Sequence, residues 1–125
     1  MILEYAKVRG TAFTPDRANP SDAGLDVFYS PENPHAKIHM SPNTSRIIPT
    51  GLKFAIPHGY MLEVKNRSSI ASKRHLLVGA CVIDSGYEGE VFVNLHNVGV
   101  EGQVIAPGDK IAQLVMTPVV HFRPS

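Results

Sequence analysis

Short runs in which apolar and polar residues alternate, or β-branched residues cluster, recur along the chain: Leu25–Tyr29, Lys37–Met40, Arg46–Ile48, Leu52–Ile56 and Tyr60–Val64. The pattern continues through Leu76–Ile83, Glu90–Leu95, Gln103–Ile105 and Ile111–Val120. Alternation with a period of two puts every second side chain on one face of an extended chain, so each run predicts a strand. Strands about 8–12 residues apart with turns between them predict an all-β sandwich or barrel. Ten Gly and ten Pro are spread through the whole length and leave no place for a long helix. One short helical turn is predicted over Ser68–Arg74, where hydroxyls can cap the start and bases suit the end. Pro57-His58-Gly59 and Pro107-Gly108-Asp109 predict turns, because Pro presets φ and Gly accepts φ > 0. Thr14–Ser21, with Pro15 and Pro20, is the expected mobile loop.

The chain has 125 residues with no repeat, linker or low-complexity stretch, which predicts one domain over 1–125. At 43% hydrophobic and 18% charged it can build a packed core. Twelve Lys and Arg against eleven Asp and Glu leave a net charge of +1, which excludes the broad basic surface of a non-specific nucleic-acid binder. Any anion site must be local. Cys81 is the only cysteine, so an internal disulfide and a multi-thiolate zinc site are excluded, and a cytoplasmic or other reducing intracellular setting is expected. The longest apolar run, Leu76–Ile83, is too short to span a bilayer, and no membrane partner is expected.

Candidate chemistry falls in three places. Lys65, Arg67, Lys73 and Arg74 lie within ten residues that also hold Asn66, Ser68, Ser69 and Ser72. Free N–H groups of a helix start, hydroxyls and an arginine make a local anion site, and a solvated basic turn fits the same residues. Asp84 directly follows an apolar strand in Val82-Ile83-Asp84-Ser85-Gly86-Tyr87-Glu88-Gly89-Glu90. A strand end is a rigid mount for a base acting on water, and Tyr87 offers a stacking face, although a capped hairpin turn reads equally well. The third place is Ser21–Val27, a turn-to-strand step that puts Asp26 among inward apolar neighbours. The six histidines show only one i, i+4 pair, His35 and His39, in a Pro-flanked strand or loop, so no protein-ligated metal is expected.

In their order and spacing these segments resemble the trimeric dUTPase (deoxyuridine triphosphate nucleotidohydrolase) family. Ala23-Gly24-Leu25-Asp26 is similar to the first family motif, Arg67-Ser68-Ser69-Ile70-Ala71 to the second and Val82–Gly89 to the third. Gly108-Asp109-Lys110-Ile111-Ala112-Gln113-Leu114 is similar to the fourth, and Pro49-Thr50-Gly51 and Ile56–Tyr60 add support. The resemblance spans about residues 20 to 118.

It implies a dUTPase-like β-barrel or jelly-roll domain that hydrolyses dUTP to dUMP and pyrophosphate, in pyrimidine nucleotide metabolism and in keeping uracil out of DNA. Asp84 would be the base that directs water at the α-phosphorus, and Tyr87 would stack under the deoxyribose and exclude a 2′-hydroxyl. Main-chain groups of a Gly79, Ala80, Cys81, Val82 hairpin would read uracil, with Cys81 standing where many relatives have Gly. Arg67, Ser68, Ser69 and Gln113 would bind phosphates, and Asp26 would brace them. Mg²⁺ would be held chiefly by the triphosphate and water. The family assembles as homotrimers whose sites lie between subunits. Its fifth motif is a glycine-rich C-terminal arm, whereas this sequence stops at Pro118–Ser125, about where that arm begins. Either the sequence is truncated relative to its relatives or closure is achieved another way; without the arm, turnover is expected to fall further than affinity. Two other readings stay in view. dCTP deaminase shares the Arg-Ser-Ser pattern but needs a glutamate where this chain has Asn94, three residues before Asn97. A dUTP-binding regulatory protein would keep the pocket and use it as a switch.

Overall fold

Leu52–Ala55 runs buried, exposed, buried, exposed, and Phe92–Asn97 ends with Val93, Leu95 and Asn97 buried on one face. The period-two pattern thus becomes layers of sheet closed over a common interior. The computed structural model describes residues 1–125 and contains eleven strands and one helix. The strands are β1 (Glu4–Lys7), β2 (Leu25–Phe28), β3 (Ile38–Met40), β4 (Ser45–Pro49), β5 (Leu52–Ala55) and β6 (Tyr60–Lys65). After helix α1 (Ser68–Arg74) come β7 (Leu76–Val78), β8 (Val82–Ile83), β9 (Phe92–Asn97), β10 (Gln103–Ile105) and β11 (Lys110–Pro118).

Four sheets form, in the orders β2-β11-β6-β8, β4-β9-β7, β1-β5 and β3-β10, and every pairing is antiparallel. Eighteen buried side chains, among them Val27, Ile48, Leu52, Leu62, Leu95 and Leu114, form one core cluster between them. Leu→Ala at such a position costs about 2–5 kcal/mol, since the methyls leave a cavity as well as losing their burial. The fold is all-β, as the strand spacing predicts.

Three local expectations change. The run Leu76–Ile83 is two strands, with β7 on β9 and β8 on β6, so Gly79–Cys81 crosses between sheets and is no hairpin. The crossing runs close against β9 at Gly79, where a Cβ would stand 2.2 Å from Asn94 Oδ1 and 2.4 Å from His96 Nε2. Helix α1 has the predicted bounds and basic last turn, but its N-cap is Arg67 and no side chain caps it. Its C-cap, His75, takes the left-handed φ of 55° and donates its N–H to Ile70 O. The 14–21 loop is tied by a two-way backbone pair between Asp16 and Asp26.

Candidate active site

β11 is the frame on which the first cluster is built. Its Gln113 stands opposite Asp26 of β2 on one side and Lys65 of β6 on the other, so the three share a face of the sheet. Asp26 is 1% exposed. A carboxylate so far from water needs charged partners, and it has two: Arg67 Nη1 at 2.7 Å and Lys110 Nζ at 3.5 Å. Two cations on one carboxylate leave a local surplus of positive charge. Arg67 has its Nε buried without a partner, and its side chain remains 27% accessible.

The other bases of the cluster are less available than the sequence suggests. Lys65 Nζ lies 2.9 Å from Glu63 Oε2; this hydrogen bond holds the glutamate below its ordinary range and raises the lysine above its own. Arg74 turns away to Asp109, Gln103 Oε1 and Val104 O, tying the end of α1 to the β10–β11 turn. Ser68 and Ser69 are exposed in the first turn of α1, beside main-chain N–H groups that no side chain caps.

Gln113 is held by close packing. Its Nε2 donates to Asn66 O at 2.9 Å, and a Cβ at Gly24 would fall 1.9 Å from its Oε1 and 2.9 Å from its Cβ. Gly24 is there because that space is taken. Asn66 Oδ1 in turn accepts the Val78 N–H at 2.8 Å, and Asn94 Oδ1 accepts the Ala80 N–H at 3.3 Å while bonding His96 Nε2 at 2.8 Å. Two asparagines therefore fix the path of Gly79–Cys81. This role of Asn66 and Asn94 is not legible in the sequence, because their partners lie 12 and 14 residues away and spacing offers no signal. Asn94 is engaged in holding the backbone and supplies no carboxylate, and Asn97 is buried on Met40 O and Glu101 O. Val82 and Cys81 are exposed.

The second cluster forms after β8. Asp84 is exposed, and its carbonyl accepts the Tyr87 N–H at 3.1 Å, closing a turn. Tyr87 is 44% exposed, donates its hydroxyl to Glu90 O at 2.6 Å and covers Gly89, where a Cβ would lie 2.8 Å from the phenolic oxygen. Asp84 and Tyr87, with Val82, Ile83, Val91 and Phe92, line a cavity of about 240 Å³. On its other side Tyr87 borders a groove of about 670 Å³ between β1, β5 and Ser85–Glu88.

The two clusters do not meet within one chain. Val82 and Ile83 pair with Glu63 and Leu62, so Asp84 continues toward the Tyr60 end of β6, while Arg67 follows its Lys65 end. At about 3.3 Å per residue, the six steps from Met61 to Arg67 separate them by on the order of 15–20 Å. The structure brings together Asp26, Arg67 and Gln113, and separately Asp84 and Tyr87. No three His, Cys, Asp or Glu side chains are grouped to hold a metal ion, and no helix is long and apolar enough to cross a membrane.

Among solved structures, the chain is similar to the dUTPase from phage phi11 of S. aureus, with a TM-score of 0.91 and 25% identity over 100% of this chain and 95% of that one. It is 34% identical to the deoxyuridine 5′-triphosphate nucleotidohydrolase of Syntrophotalea carbinolica over 121 residues, covering 95% of this chain and 80% of that protein. The enzyme of the same name from Gloeobacter violaceus is 40% identical over 107 residues, 84% of this chain and 71% of the relative. The dUTPase family model matches residues 11–125. The chain belongs to the dUTPase family.

Proposed function

We propose that the protein is a dUTP diphosphatase, which hydrolyses dUTP to dUMP and pyrophosphate by attack of water on the α-phosphorus. The observation that carries this reading is the pair of half-sites in a chain of this family. One is a guanidinium braced by a buried carboxylate, and the other is an exposed carboxylate at a strand end beside a tyrosine ring. Phosphoryl transfer asks a protein for little covalent chemistry: it needs a directed nucleophile and positive charge at the phosphate oxygens. Asp84 takes the proton of the attacking water, or orients it, from a fixed strand end. Arg67, the hydroxyls of Ser68 and Ser69, the free N–H groups of α1 and Gln113 receive the phosphates. Asp26 holds Arg67 in place and leaves the surplus charge of Arg67 and Lys110 to the anion. Tyr87 supports the sugar, and the main chain of Gly79, Ala80, Cys81 and Val82, set by Asn66 and Asn94, presents groups to the base.

A structure of the phi11 relative is described with a structural Mg(II) ion. In this chain Mg²⁺ would be held chiefly by the triphosphate and water, in keeping with its preference for retaining several waters. Such an ion would supply charge neutralisation on the phosphate oxygens. The separation of the two half-sites favours a site shared between copies, with the Arg67 end of one subunit facing the Asp84 end of the next. A head-to-tail contact whose rotation closes makes a ring, and a homotrimer would be such a ring. The test is incubation with dUTP, dCTP, dTTP and UTP and identification of products. dUMP and pyrophosphate from dUTP alone are expected; equal turnover of dTTP or UTP, or release of orthophosphate, rejects the reading.

A further inference from the structure

Arg9 stands 81 residues from Glu90 in sequence, yet its guanidinium grips that carboxylate with both nitrogens, Nη2 at 2.5 Å from Oε1 and Nη1 at 3.1 Å from Oε2. Both side chains are largely withdrawn from solvent, at 24% and 13% exposure. A bidentate guanidinium–carboxylate pair in this setting fixes orientation as well as distance. Arg9 Nη1 also donates to Ser30 O at 2.8 Å, and Glu90 Oε2 also accepts the Gly51 N–H at 3.0 Å. Gly51 has φ +72°, and a Cβ there would come within 2.6 Å of Ala12 Cβ and 3.0 Å of Arg9 Nη1, so only glycine leaves room for the clamp. On either side of Gly51, Thr50 Oγ1 donates to Val91 O at 2.6 Å and Leu52 O accepts the Val91 N–H at 2.8 Å. Pro49-Thr50-Gly51 thus holds Glu90 and Val91 from beneath.

The residue clamped in this way is the one whose carbonyl accepts the Tyr87 hydroxyl at 2.6 Å. The ring's other anchors are local: the turn at Asp84 and the glycine under its edge at Gly89. With the Glu90 side chain released, the carbonyl that receives the phenol keeps the Val91 N–H to Leu52 O bond of its peptide unit but loses the two-pronged brace on its other side. We infer that Arg9 and Glu90 are positioning residues for Tyr87: the ion pair between the N-terminal segment and the end of the Tyr87 loop sets how closely the ring approaches the sugar, and so how strongly a ribose is rejected. The inference rests on the placement of Tyr87 at the sugar proposed above. A ring free to retreat by a fraction of an ångström makes space for one hydroxyl, so discrimination should fall more than turnover.

The experiment compares kcat and KM for dUTP and UTP in the wild type, Arg9→Ala, Arg9→Lys and Glu90→Gln, with melting temperatures measured alongside. Absence of dUTP turnover in the wild type would reject the proposed activity itself, independently of the clamp. Given an active wild type, Arg9→Ala is expected to lower the dUTP/UTP ratio of kcat/KM by about tenfold, chiefly through a higher KM for dUTP and a lower one for UTP. Glu90→Gln, which keeps the Gly51 contact and loses the charge, should fall between. Where Arg9→Ala is unfolded at the assay temperature, Arg9→Lys decides, since it keeps the charge but not the two-pronged grip, and a fall of about threefold is expected. Folded variants with a lower melting temperature and an unchanged dUTP/UTP ratio would show that the clamp only stabilises, and would overturn the inference.

Discussion

Asp26 and Arg67 face each other across 2.7 Å, one almost without water and the other with part of its guanidinium still in it. Removing the arginine strands a buried carboxylate with only Lys110 at 3.5 Å, whereas removing the carboxylate releases an arginine that solvent can partly receive. Truncations at the two positions should therefore be unequal. Arg67→Ala is expected to cost about 3–5 kcal/mol of stability and Asp26→Ala about 1–3 kcal/mol, because an unpaired buried charge is the larger penalty. Denaturant titration of both variants measures this, and equal losses would contradict the asymmetry.

Asp84 makes the converse prediction, since it is exposed and contributes little to packing. Asp84→Asn should leave the melting temperature and the affinity for a non-hydrolysable dUTP analogue nearly unchanged while reducing kcat by well over tenfold, more than ~1.4 kcal/mol of transition-state stabilisation. A variant that retains a tenth of the rate removes Asp84 from the role of base.

Mixing inactive proteins tests where the two halves of the site come from. If Arg67 and Asp84 act from different subunits, Arg67→Ala and Asp84→Asn copies co-refolded in equal amounts form intact sites at one in four junctions, and about a quarter of wild-type activity returns. A site contained within one chain returns none.

Gly24→Ala places a methyl where Gln113 lies, 1.9 Å from its Oε1. The glutamine must swing out and lose Asn66 O, so KM for dUTP should rise several-fold while stability falls by about 1–3 kcal/mol. An unchanged KM would show that Gln113 does not serve the ligand.

Tyr29 sets an alkaline limit. Its burial pushes the phenol above the ordinary 10.0, against a smaller pull from the charge of Arg46. Its folded-state value being raised, the unfolded chain gives up this proton first. The contribution of Tyr29 is present in full below about pH 10 and is lost as the pH rises through the folded-state value. Unfolding midpoints of wild type and Tyr29→Phe, compared from about pH 8 to 11, should show the steeper decline in the wild type. Parallel curves would discount burial of the phenol.

How much of this could be read from the chain depended on sequence distance. Alternation located β5, β6 and β9, and the hydroxyl-to-base run Ser68–Arg74 gave the helix with its bounds. Glu4–Lys7 escaped notice because all four residues are exposed, and pairing with β5 rather than a buried face makes them a strand. Leu76–Ile83 read as one run because nothing in its composition reveals that Gly79 passes against Asn94 and His96. The motifs named Asp26, Arg67 and Gln113, which the register of β11 then gathered. Arg9 stayed hidden, and Asn66, Asn94 and Lys110, though named in other connections, showed nothing of their partners, since each acts through a hydrogen bond or ion pair to a residue far along the chain.

The Tyr87 hydroxyl is already committed to Glu90 O and has no donor to offer a ligand. At the sugar position proposed for it, the ring would turn away a ribose by lack of space, and its oxygen is left only to accept a hydrogen bond. Rejection of one extra hydroxyl by shape alone reaches on the order of a hundredfold. On the proposed site, discrimination would then be set jointly by the ring and by nucleotide abundance. A ribonucleotide outnumbering dUTP by that same factor would occupy the site as often as the substrate, and would act as a brake even where it is never cleaved.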